Sequence, residues 1–210
     1  VYKRTLARCV IALALSFLLM GAKCPSIPDT HEIHVTVATE EAIDLEFGAH
    51  GGIDATGGGE VIDLEELWEL LDDADIDVER LQYMKVSSVL YGVTAYNESE
   101  TDREIVNGRV TVSRGASGPS AVLIDDLDAA VYPLLGKLVQ APISEEGIDL
   151  INGLLEDVVT ALKTGTPGNL VLIGTVEGST EPPGGDIDFD WRLRINYQIA
   201  GGVPVDSPEF

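Results

Sequence analysis

From Asp186 to Ile199 the sequence DIDFDWRLRINYQI alternates apolar and polar residues without interruption. Ile187, Phe189, Trp191, Leu193, Ile195, Tyr197 and Ile199 fall on one side, and Asp186, Asp188, Asp190, Arg192, Arg194, Asn196 and Gln198 on the other. Successive side chains of a strand point to opposite faces, so this segment has one dry and one wet side. The dry side needs partners of similar length, which predicts the central strand of an antiparallel sheet.

The same period recurs upstream. Ile33 to Val37 and Ile43 to Phe47 alternate and predict a hairpin turning at Thr39 to Ala42. Met84 to Tyr96 and Ile105 to Arg114 predict two further strands, with Ser87, Val89, Tyr91, Val93 and Ala95 as the core side of the first. Ala121 to Ile124 predicts a short strand, and Leu170 to Glu177 a strand that pairs as a hairpin with the segment after Asp186. The glycine-rich stretch Gly48 to Glu60 has no apolar period and predicts a loop.

Helical spacing appears in three places. Leu64, Leu67, Trp68 and Leu71 follow Asp63, an N-cap residue with Glu66 three positions on. Leu127, Val131, Leu134, Leu135 and Leu138 share a helical face shortened or kinked by Pro133. Ile148, Ile151, Leu155, Val158 and Leu162 define a longer helix beginning at Ser144 or Gly147 and stopped by Gly165 and Pro167, with Asn152 pointing away from its apolar face. Asp77 is placed to cap one further turn, Val78 to Leu81. These elements predict a mainly β protein, an antiparallel β-sandwich of about seven strands with two or three inserted helices. A spanning barrel needs at least about eight strands and has no room for such helices.

The first 24 residues follow another logic. Lys3, Arg4 and Arg8 precede an apolar run from Cys9 to Ala22, the form of a secretory signal and shorter than the roughly 20 residues that span a bilayer. At Cys24 the segment resembles a bacterial lipoprotein precursor, over residues 1–24 only, with Lys23 standing where that pattern has a small residue. The resemblance implies export, a lipid on Cys24 and attachment to a membrane of the cell envelope through it; the alternatives are ordinary signal cleavage, which gives an extracellular chain, and an uncleaved anchor. Cys9 would be removed, leaving Cys24 without an intramolecular partner. The expected domains are a signal peptide over 1–23, a tether over 24–30, the sandwich over 31–200 and a flexible tail over 201–210.

Composition narrows the function classes. With 36 acidic residues against 13 Lys and Arg, the net charge is −23, and such a surface repels nucleic acid. The acidity fits solubility, adaptation to salt or binding of divalent cations.

Asp73, Asp75 and Asp77 lie in an acidic run that a calcium ion would favour for its oxygens. With Asp73 as position 1 of a calcium loop, however, position 6 is Val78 instead of Gly and position 12 is Met84 instead of Glu. Asp186, Asp188 and Asp190 stand about 7 Å apart along one strand face, as a cation ledge, a carbohydrate-contacting row or simply the wet face of a sheet. His31, His34 and His50 lack metal-ligand spacing. No nucleophile, base and charge stabiliser recur at a catalytic spacing, so no catalytic residue is assigned. The expectation is a non-catalytic binding or structural protein of the bacterial envelope, without a cofactor unless calcium binds. The alternatives are a calcium-stabilised adhesin-like module and a glycan hydrolase using a carboxylate pair from Asp186, Asp188, Asp190 or Glu177.

Overall fold

The computed structural model describes residues 33–50, 55–97, 103–166, 170–183 and 188–205; Cys24 and Asp186 lie outside these. Ile33–Phe210 forms a compact unit of its own. It is a mainly β, two-sheet antiparallel sandwich. In sheet A the order is β1 (Ile33–His50), β8 (Asp188–Val205), β3 (Leu81–Tyr96), β6 (Val139–Gln140). In sheet B it is β2 (Ala55–Val61), β7 (Val171–Glu181), β4 (Glu104–Arg114), β5 (Ser120–Ala130). Among the described residues, two helices, α1 (Leu64–Asp73) and α2 (Glu145–Thr164), and two short 3-10 turns, Val78–Arg80 and Tyr132–Leu134, complete it.

β8 is the central strand its alternation predicts. Phe189, Trp191, Leu193, Ile195, Tyr197 and Ile199 are all buried, while Asp188 through Gln198 on the other side are half-buried. Trp191 stacks on Phe47 of β1 with ring centroids 4.5 Å apart. The two sheets meet where a Cβ on Gly174 of β7 would lie 2.7 Å from Phe47 Cζ, so glycine there permits the close approach.

β1 is one continuous strand instead of a hairpin, in register with β8 from Ile33↔Val205 to His50↔Asp188. Ile33–Val37 and Ile43–Phe47 share odd parity, so an unbroken strand keeps both apolar sets on one face, and Thr39 to Ala42 contains no turn-forming residue. Gly201 and Gly202, expected in a flexible tail, are buried strand residues, because the start of β1 needs partners beyond Ile199. β7 does not pair with β8. β8 instead lies between β1 and β3, the strands that match its length, while β7 belongs to the other sheet.

Part of the glycine-rich stretch expected as a loop is β2, paired with β7 around a bulge between Thr56 and Gly59. Glycine carries the backbone N–H and C=O that the ladder to β7 uses, and although it weakens a strand it suits the bulge found here. The helix expected over Leu127 to Leu138 does not form. β5 continues to Ala130, Pro133 confines the helical turn to Tyr132–Leu134, and Gly136 turns the chain at φ +69°. In β3 three register shifts break the simple alternation, so Leu81, Met84, Val89 and Val93 are buried while Ser87 is exposed.

α2 begins at Ser144, whose Oγ accepts from Gly147 N at 3.1 Å and donates to the Val122 carbonyl. It buries Ile151, Leu154, Leu155, Val158 and Leu162. Asn152, expected to face away, accepts from Val86 N of β3 at 2.9 Å through Oδ1.

Candidate functional site: the outer face of sheet A

The wet side of β8 meets polar residues on both neighbours. Register sets Asp44 opposite Arg194 and Glu46 opposite Arg192 on β1, and Ser88 opposite Asn196 on β3. Arg194 donates to both carboxylate oxygens of Asp44, Nε to Oδ1 at 2.8 Å and Nη2 to Oδ2 at 2.7 Å. Arg192 donates to Glu46 from Nε at 3.2 Å and from Nη2, and its Nη1 lies 3.7 Å from Asp44 Oδ2. Asn196 Nδ2 donates to Ser88 Oγ at 2.8 Å. The Arg194 hydrogen bond holds the Asp44 carboxyl below the ordinary carboxylate range, outweighing partial desolvation, with the charges of Arg194 and Arg192 acting the same way. The same bond raises Arg194.

This ladder is a row of charges that largely satisfy one another across strands. At one border Gln198 Oε1 accepts from Tyr83 Oη at 3.4 Å, and Lys85 Nζ lies 5.6 Å from the Tyr83 ring centre. At the other, a strap from Val131 to Ile143 crosses onto β3. A Cβ on Gly92 would fall 1.8 Å from the Lys137 carbonyl oxygen, so only glycine admits the strap there.

Of the acids singled out from sequence, Asp188 and Asp190 lie on this face, opposite His50 and Gly48. Glu177 is on β7, exposed on the outer side of the other sheet near Arg109 and Asp125, so the fold does not bring it to Asp188 and Asp190. Asp73, Asp75 and Asp77 have local structural roles or lie exposed. Asp73 closes α1, and Asp75 takes a left-handed conformation, φ 56°, directly after the helix. Asp77 Oδ1 accepts from Glu79 N at 3.0 Å and its Oδ2 lies 3.2 Å from Arg80 Nε. Among the described residues no group of three or more His, Cys, Asp or Glu is placed to hold a metal ion.

Asp44, Glu46 and Ser88 were not singled out by sequence reasoning. Their signal was Asp44 and Glu46 alternating with Ile43, Leu45 and Phe47, opposite in sign to Arg192 and Arg194. It becomes readable only once β1 is laid against β8.

No family model and no curated protein matches the chain. Among solved structures it is similar to that of Desmodium yellow mottle tymovirus, at 9% identity and TM-score 0.28 over 91% of this chain and 97% of that chain. It is also similar to that of turnip yellow mosaic virus, at 9% identity and TM-score 0.30 over 90% and 92%. Superposition at this level carries no inference for this chain.

Proposed function

We propose that the chain is an exported, lipid-anchored protein of the bacterial envelope whose β-sandwich has a non-catalytic binding or structural role. The signal-like segment and Cys24 support the location. The observation that carries the role is the Asp44–Arg194 and Glu46–Arg192 ladder. On the face that carries Asp188 and Asp190, Arg192 and Arg194 and the acids facing them are committed to cross-strand pairing, which favours a rigid platform over a proton-transferring cleft.

Fractionation and fatty-acid labelling of bacteria producing the chain test the anchor. Label and membrane retention are expected, and both are lost in Cys24→Ser. A soluble, unlabelled chain would remove the anchor from the reading. Glycan cleavage that disappears in Asp188→Asn or Asp190→Asn would replace the non-catalytic role with hydrolysis.

A further inference from the structure

Among the described residues, six large hydrophobic side chains are exposed, and four of them lie within the strap: Tyr132 at 58%, Leu135 at 38%, Leu138 at 38% and Ile143 at 41%. An apolar concentration of this kind marks a contact surface more often than scattered exposed residues do. The strap edges sheet A beyond β3. No Asp or Glu occurs between Asp128 and Glu145, and the one charge there is Lys137.

The complementary surface is on α1. Trp68 is 45% exposed and has Glu65 three residues before it and Asp72 four after it, spacings that share a helix face. Both acids and the adjoining Glu69 are exposed. α1 shares a small cavity with Glu41, Ala42 and Ile43 of β1 and with Tyr197 of β8. The exposed face of α1 thus presents an aromatic flanked by acids, and the strap an apolar band with a lysine and no acid.

We infer that the occupant of the strap is a second copy of this chain, seated head to tail with its Trp68 face against Tyr132, Leu135 and Leu138. Joining strap to strap about a twofold axis would set two copies of Lys137 together with no acid between them. The heterologous arrangement gives Lys137 the acids around Trp68. Such a contact uses different surfaces on the two copies, so it continues into a ring or a filament instead of closing as a dimer. The contact joins one exposed side chain of α1 to a few of the strap, which places assembly toward the weak, concentration-dependent end. This inference does not depend on the lipid anchor.

Sedimentation of a chain starting at Pro25, which keeps the whole Ile33–Phe210 unit, tests it from about 10 μM to about 1 mM. The runs are made in about 0.15 M and about 1 M salt, because screening relieves repulsion between strongly acidic copies. The expected mass climbs past that of a dimer. Trp68→Ala and the double variant Leu135→Ser/Leu138→Ser each return the chain to monomer with unchanged circular dichroism. Mixed together they form a dimer and nothing larger, since each mixed pair retains one intact contact. A monomer in both salts would overturn the inference. So would a dimer that survives Trp68→Ala, which would mean a twofold strap contact, or a mixture of the two variants that stays monomeric.

Discussion

Arg194 is gripped by Asp44 through two short bonds on a partly exposed face. Bidentate pairing gives this contact more geometric definition than an ordinary surface ion pair, though solvent screening still limits it. Replacing Asp44 with Asn is expected to destabilise the fold by about 1 kcal/mol in urea titrations at neutral pH. The pH dependence has a definite sign. Because the folded Asp44 carboxyl is depressed, its stabilisation is complete above the unfolded value of about 3.9. It is lost as the pH falls from there through the folded value. Titrations at descending pH are therefore expected to converge for the native chain and Asp44→Asn. A gap that stays constant into strong acid would show that the ion pair is not its source.

At the scale of elements, the joint between α2 and β3 rests on Asn152 as well as on apolar packing. The bond from Val86 N occurs next to the register shift between Val86 and Ser88, where β3 leaves its regular ladder. Asn152→Ala leaves that amide without its acceptor and is expected to cost about 1–3 kcal/mol. Asn152→Asp, which keeps an acceptor, is expected to lose less; equal losses from urea midpoints would assign the effect to the change of side chain alone. Helix starts and the central strand were legible because they depend on neighbours in sequence. Asp63 and Ser144 cap as their spacing predicts, and β8 alternates as read. Strand pairing was less legible. Thr39 to Ala42 looks like a turn in isolation because the odd-parity continuity of β1 has meaning only against β8. The Leu127 to Leu138 pattern has helical spacing, yet Pro133 and Gly136 are decisive, and β5 takes its first residues. The polar face was found from β8 alone, while its β1 half depended on a register that local sequence does not carry.

For the molecule as a whole, the dominant quantity is a net charge of −23. Self-repulsion of that size weakens a compact state until ions screen it, and the Debye length shrinks from about 10 Å at 0.1 M to about 3 Å at 1 M. Melting is expected to rise by several degrees in molar sodium chloride, and millimolar calcium is expected to add no more than its ionic strength does. A rise specific to calcium and reversed by chelator would instead favour the calcium-stabilised adhesin-like reading. The pairing of β1 with β8 also bears on biogenesis. These strands stand near opposite ends of the compact unit, and β8 is the strand that joins β1 to β3. A growing polypeptide therefore has no way to assemble this sheet until almost all of that unit has emerged. Under the proposed export, such delayed closure would keep the chain threadable during its passage and let it set into shape only on the far side.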